Sequence, residues 1–202
     1  MLLLDTGIGN IQSVANVLSF IGAPFEISAT PESLERADKI VFPGVGTYGN
    51  AMEQIKKNGL QEPLRKALLI DRKLCLGICV GMQVMSELGT EFGSHPGLGV
   101  LPGVVKRIDV TGQKLNLPHI GWNDVQVKGE PKLFRNIPAN ASFYFIHSYH
   151  FVPSDRSIVS STVQYGTEVV ASVERDNLFG VQFHPEKSQE QGIRLLRNFV
   201  EL

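Results

Sequence analysis

The sequence predicts one α/β domain, residues 1–202, with a mixed, mostly parallel central sheet flanked by helices and antiparallel strands added in the C-terminal half. Three observations lead there. Short β-branched runs alternate with helix-period stretches through the first hundred residues. From about Val100, strand-like pieces follow one another between turn residues. Finally, 202 residues that are 43% hydrophobic and 19% charged suit a single buried core, with no repeat, low-complexity tract or composition break.

Taken in order, Met1 to Asp5 reads as a strand, Gly7-Ile8-Gly9 as a turn, and Asn10 to Ile21 as a helix. Ile11, Val14, Val17, Leu18 and Ile21 recur on one face of that helix. Strands near Phe25 to Ser28 and Lys39 to Phe42, helices at Asn50 to Asn58 and Gln61 to Asp71, and a strand through Leu74 to Ile78 continue a βα alternation that implies a parallel sheet. A helical run, Val80 to Leu88, follows. Further strands are expected at Val104 to Val110, Trp122 to Val127, Ser142 to Ile146, Ile158 to Tyr165, Glu168 to Glu174 and Leu178 to Phe183. Tyr165-Gly166-Thr167 and Arg175-Asp176-Asn177 have the residues of hairpin connections. The closing helix, Glu190 to Leu202, gathers Ile193, Leu196, Phe199 and Val200 on one side.

A formal net charge of −1 and scattered Lys and Arg give no basic stripe for nucleic acid or an anionic membrane. The apolar Met1-Leu2-Leu3-Leu4 ends at Asp5, far below the ~18 residues of a membrane span, so a soluble, cytoplasmic protein is expected. Cys75 and Cys79, four residues apart on an extended segment, lie about 13 Å apart, beyond the ~7 Å reach of a disulfide. Their spacing lacks the companions of a zinc site, and no residue, including His119, His147 and His150, is assigned to metal. His95 reads as a loop residue and Cys75 as an inert thiol in a buried strand.

Gly77-Ile78-Cys79-Val80-Gly81-Met82-Gln83 places a cysteine between glycines where a strand gives way to a helix. This is the thiol counterpart of a nucleophile elbow, and the dipole and free N–H groups of a helix N-terminus favour a thiolate, with the Val80 N–H available to an oxyanion. A buried structural cysteine fits the heptapeptide equally well. His184 closes an apolar strand and is followed by Pro185 and Glu186. Residues i and i+2 of an extended segment share a side, so Glu186 can approach and orient the His184 imidazole. Taken alone, His-Pro-Glu reads more readily as a strand-end histidine and a solvated acid. Together with the elbow it describes a nucleophile, a base and a carboxylate.

These two motifs, about a hundred residues apart, resemble the class I, triad-type glutamine amidotransferases. Pro43-Gly44-Val45-Gly46, Pro118-His119-Ile120-Gly121-Trp122-Asn123, Phe145-Ile146-His147-Ser148-Tyr149, Gly9-Asn10-Ile11 and Lys187-Ser188 narrow the resemblance to the family of glutaminase subunits of imidazole glycerol phosphate synthases. The resemblance implies glutamine hydrolysis through a thioester on Cys79, with His184 carrying the proton and Glu186 holding His184. It implies no cofactor, and a heterodimeric cyclase subunit that receives the ammonia for histidine biosynthesis. By motif position, Gly44, Val45 and Gly46 form an oxyanion strand that acts with Val80. Gln83, Glu91, His147, Ser148 and Tyr149 contact glutamine.

The resemblance also marks Lys187 for a salt bridge across the subunit interface, against the simpler reading of a solvated lysine. Trp122 and Tyr144 are read either as half-buried core aromatics or as contacts at the cyclase face. Asn10 is a natural N-cap that can also bond a partner. A physical expectation accompanies the oxyanion strand. For the Val45 N–H to face the thioester oxygen, the Gly44–Val45 peptide must rotate, and a β-branched residue at positive φ is an outlier. The hole is therefore expected to be unformed at rest and completed by the partner. The alternatives are a glutaminase subunit serving another synthase, a same-fold cysteine hydrolase of peptides or γ-glutamyl compounds, and a non-catalytic binding domain.

Overall fold

Leu2, Leu3 and Leu4 are all fully buried, as a strand covered on both faces requires, and they begin a single α/β domain. The structure, a computed structural model, describes all of residues 1–202. In chain order the first half comprises β1 (Leu2–Leu4), α1 (Ile11–Phe20), β2 (Glu26–Ser28), α2 (Pro31–Arg36), β3 (Lys39–Gly44), α3 (Tyr48–Lys57), α4 (Gln61–Arg65, continued as a wider turn over Lys66–Ile70), β4 (Leu74–Cys79) and α5 (Val80–Gln83). The second half comprises β5 (Leu88–Gly89), β6 (His95–Pro96), β7 (Gly103–Arg107), β8 (His119–Asp124), β9 (Gln126–Val127), β10 (Ser142–His147), β11 (Tyr149–Pro153), β12 (Val159–Tyr165), β13 (Thr167–Arg175), β14 (Leu178–Val181) and α6 (Gln189–Val200).

Eight strands form the central sheet in the order β2-β1-β3-β4-β14-β13-β12-β9. The first five run parallel, and antiparallel pairing begins where β14 meets β13. This is the mixed, mostly parallel sheet that the alternation predicts. Both hairpins fall where Tyr165-Gly166-Thr167 and Arg175-Asp176-Asn177 place them. Not every late strand joins the main sheet. β8 and β10 pair as a separate ribbon, and β7 and β11 join β5 and β6 in a small second sheet. The ribbon alternates cleanly, with Phe143, Phe145 and His147 inward and Tyr144 and Ile146 outward, so it caps the core without needing sheet neighbours.

Several elements differ from expectation for local reasons. Helix α5 stops at Gln83 instead of Leu88, because residues 98–101 bend back and donate to the Val84, Met85 and Ser86 carbonyls that a longer helix would need. Helix α2 was not anticipated, although Thr30 and Ser33 form a capping box around Pro31 at its first position. Strand β11 was also missed: it pairs through Tyr149–Pro153 with β7, which ends at Arg107 short of Val110. Strand β8 begins at His119, three residues before Trp122, and breaks at Val125, whose N–H bonds Ala141.

For function, the central fact is the adjacency of β3, β4 and β14. Gly44 pairs with Cys79, and Val181 with Ile78, so the C-terminal ends of three parallel strands emerge together. Open α/β sheets place their ligand sites at that edge.

Candidate active site

Cys79 is the last residue of β4 and holds φ 54°, ψ −112°, a conformation that side chains rarely adopt. Three glycines let the surroundings close on this turn. A Cβ on Gly81 would lie 1.8 Å from the Phe42 carbonyl oxygen, one on Gly77 2.7 Å from Met82 Cα, and one on Gly44 2.7 Å from the Gly81 nitrogen. The G-x-C-x-G pattern is therefore an elbow in fact: the glycines bring β3, β4 and α5 into contact, and the cysteine takes the strained position. The other thiol, Cys75, is fully buried, unbridged, and pushed up to about 12 by burial, so it stays protonated.

The chain leaves β14 through Gln182 and Phe183 to His184, whose N–H bonds the Tyr144 carbonyl of β10. His184 Nδ1 lies 2.8 Å from Glu186 Oε1, and both side chains are almost fully enclosed. The pairing is as expected but the route is not. Residues Pro185–Lys187 form a tight 3-10 turn, so Glu186 reaches the imidazole across a turn and not by strand alternation. Burial opposes a charged imidazole, but the Cys79 sulfur and the Glu186 carboxylate outweigh it and lift His184 to about 10. His184 Nε2 is buried and makes no well-formed hydrogen bond at rest. Such contacts commonly tighten only with substrate bound.

Cys79, Val80 and His184 open onto a cavity of about 300 Å³, whose wall also includes Val45, Gly46, Gln83, Glu91, Ile146, His147, Ser148, Tyr149 and Lys187. The structure thus gathers every residue expected at the substrate except Gly44, which lies beneath and pairs with Cys79. Glu91 Oε2 accepts the Tyr48 N–H at the start of α3, and its Oε1 has no protein partner. The Glu91 carbonyl meets the ring of His95, which belongs to β6 and not to a loop. Gln83 is buried. Its Nε2 donates to the Tyr149 carbonyl (2.9 Å) and to Gln182 Oε1 (3.0 Å), and Gln182 Nε2 reaches Cys79 Sγ at 3.7 Å.

At the wall and behind it, His147 and His119 continue this network. His147 Nδ1 meets the Tyr149 carbonyl at 2.9 Å, His147 Nε2 meets His119 Nδ1 at 3.1 Å, and His119 Nε2 meets Asn123 Nδ2 at 3.3 Å. One tautomer assignment satisfies all three contacts, with each Nδ1 carrying the proton and each Nε2 accepting. Burial keeps the rings neutral, lowering His119 to about 4 and His147 to about 3.

In the segment expected to form the oxyanion strand, the one backbone donor at issue already has a partner. The Val45 N–H donates to the Ile8 carbonyl at 2.6 Å, and Val45 stays outside the positive-φ region while Gly46 is at φ 93°. Of the residues assigned to a partner, Trp122 is 48% exposed and stands opposite Tyr144 in the β8–β10 ribbon, with their rings in edge contact at 6.1 Å. The core reading of Trp122 is thus displaced: its ring is outward. Lys187 Nζ sits 5.8 Å over the Tyr144 ring. Ile120 and Ile146, paired across the same ribbon and both exposed, widen this apolar patch. Sequence reasoning passed over both. Asn10 occupies the N-cap position of α1 but makes no side-chain capping bond, so that structural role is not filled.

Comparison with known proteins accords with this geometry. The family model for glutamine amidotransferase class-I matches residues 2–202. A protein of Pelagibacter ubique described as imidazole glycerol phosphate synthase subunit HisH is 39% identical over 204 residues, covering 99% of this chain and 98% of its own. One of the same description from Acinetobacter baylyi is 41% identical, covering 98% and 96%. Among solved structures, a glutamine amidotransferase superposes with a TM-score of 0.75 at 20% identity, covering 99% of this chain and 97% of the other. A Thermotoga maritima structure described as PurLQS gives 0.75 at 20%, covering 99% and 96%. At that identity, the two structures speak for the fold alone.

Proposed function

Because this chain belongs to the class I glutamine amidotransferase family, we propose that it is the glutaminase subunit of an imidazole glycerol phosphate synthase. It hydrolyses glutamine to glutamate and passes the ammonia to a cyclase subunit, for synthesis of imidazole glycerol phosphate and aminoimidazole carboxamide ribotide in histidine biosynthesis. The observation that carries the reading is the assembled Cys79–His184–Glu186 constellation, raised on a positive-φ elbow at the floor of a cavity of about 300 Å³.

The residues divide the chemistry as follows. Glutamine enters with its α-ammonium group toward the Glu91 carboxylate and its backbone end along Ser148 and Tyr149. The Cys79 thiolate attacks the carboxamide carbon, and the oxyanion is held by the N–H of Val80 at the start of α5. His184, oriented by Glu186, gives its proton to the departing nitrogen, the C–N bond breaks and ammonia leaves a thioester. His184 then takes a proton from water, whose oxygen attacks the thioester carbon. The C–S bond breaks, glutamate is released, and the thiolate–imidazolium pair returns.

The second oxyanion donor, the Val45 N–H, is spent on Ile8 in the resting chain. Its release requires the Gly44–Val45 peptide to turn, and the partner supplies that turn when its own ligand is bound. The outward patch of Ile120, Trp122, Tyr144 and Ile146, with Lys187 at its edge and Asn10 on α1, is the face offered to a cyclase in a cytoplasmic heterodimer. No helix of the chain is long and apolar enough to cross a membrane.

Glutamate release from glutamine, measured with a cyclase subunit present and with Cys79→Ala as control, tests this reading. A mass adduct of one glutamyl group on Cys79 is expected after rapid quenching. Turnover of γ-glutamyl peptides in preference to glutamine would instead establish the hydrolase alternative.

A further inference from the structure

Gln182 was not singled out by its sequence position, and it does not line the cavity. It is fully buried, and its amide is fixed at both ends: Oε1 accepts from Gln83 Nε2 at 3.0 Å, and Nε2 lies 3.7 Å from Cys79 Sγ. Gln83 is in turn held by the Tyr149 carbonyl, which His147 also holds, with His119 behind it. Because Oε1 accepts a hydrogen bond from Gln83 Nε2, which the Tyr149 carbonyl identifies as the donor, the amide orientation is settled, and an N–H is what faces the sulfur.

We propose that Gln182 is a further catalytic residue, donating an N–H to Cys79 sulfur and so favouring the thiolate. A neutral thiol is a weak acceptor, so a buried amide N–H aimed at one is poorly satisfied, whereas a thiolate satisfies it with a charge-assisted bond. Unlike His184, an amide has no proton to surrender. Gln182 therefore stabilises the sulfur's charge without entering the proton traffic, both before attack and when the thioester collapses and the sulfur departs. Gln83, His147 and His119 act through it as positioning residues, keeping the donor on the nucleophile. The inference rests on the glutaminase reading for its catalytic consequence, but the sulfur contact can be read without turnover.

Gln182→Met keeps the volume and removes the donor. With the cyclase subunit present, kcat for glutamine falls by about 10- to 100-fold while KM is unchanged, since Gln182 touches the nucleophile and not the substrate pocket. Iodoacetamide modifies Cys79 of the full chain more slowly by a similar factor at neutral pH, and the ultraviolet absorbance of the thiolate falls. In the unsubstituted chain, the side-chain amide protons of Gln182 shift in NMR spectra when Cys79 is alkylated, a measurement that stands even if the variant folds poorly. Wild-type alkylation rate and kcat in Gln182→Met, a rise in KM alone, or an amide signal indifferent to alkylation would each overturn the proposal. If the unsubstituted complex released no glutamate while alkylation still depended on Gln182, the glutaminase reading would fail and the sulfur contact would stand.

Discussion

The adjacent ends of β4 and β3 lead to Cys79 and to Val45, the proposed nucleophile and second oxyanion donor, and they are built in opposite ways. At the end of β4, Cys79 is locked. Gly81 abuts the Phe42 carbonyl, Met82 fills the space over Gly77 and Gly180, and Gln182 and His184 flank the sulfur. Its strained backbone persists because everything around it is close-packed. At the end of β3, Val45 is 39% exposed, and its N–H is tied by one hydrogen bond to the Ile8 carbonyl in the loop before α1. A net backbone hydrogen bond is worth about 1 kcal/mol, small enough for a bound partner to exchange. On the proposed mechanism the Cys79 turn is preformed while the Val45 N–H is held in reserve, which places regulation on the side where strain is cheapest to move.

The sharpest test of the locked side is Cys79→Ala, which removes the nucleophile and lowers glutamate release by about 10⁴-fold or more with folding intact, as seen by an unchanged melting temperature. Gly81→Ala attacks the lock itself. Its Cβ would overlap the Phe42 carbonyl, so it costs about 3 kcal/mol or more and lowers the melting temperature by roughly 6 °C or more, together with activity. On the reserved side the sign reverses: Val45→Gly removes the penalty at positive φ and raises glutamate release by the partner-free chain about 10-fold, with far less effect on the complex.

The smallest effect concerns three buried histidines, His147 and His119 at and behind the cavity wall and His150 on β11. Burial lowers His119 and His150 to about 4 and His147 to about 3. The unfolded chain, with histidines near 6.5, then binds protons that the folded chain refuses as pH falls below that value. Their stabilisation is complete above pH 6.5 and declines as pH falls toward 4. Thermal melts from pH 7 to pH 5 should show a falling melting temperature. His119→Asn should flatten that slope.

The placement of Cys79, His184 and Glu186 was legible in the sequence because each part is local. Gly77 and Gly81 announce the elbow, and His184 and Glu186 sit within one turn of each other. The parallel half of the sheet was legible from its βα alternation for the same reason. What escaped depends on pairing between distant segments. Nothing in Gly7-Ile8-Gly9 shows that its carbonyl will hold Val45, and nothing in Gln182 shows that Gln83 will aim it at sulfur. The length of α5 was misjudged because residues 98–101 compete for its carbonyls. Helix α2 belongs to the other kind of miss: Thr30-Pro31-Glu32-Ser33 carries its capping box openly.

In the proposed mechanism the nucleophile stands ready while the oxyanion donor waits on Ile8. The most direct test of that mechanism is the rate of glutamate release by this chain alone, divided into the rate with the cyclase subunit and its nucleotide ligand. One missing oxyanion donor predicts stimulation of about 10²- to 10³-fold. Equal rates in the two states would mean that the oxyanion site is already complete and that the Val45 contact with Ile8 controls nothing.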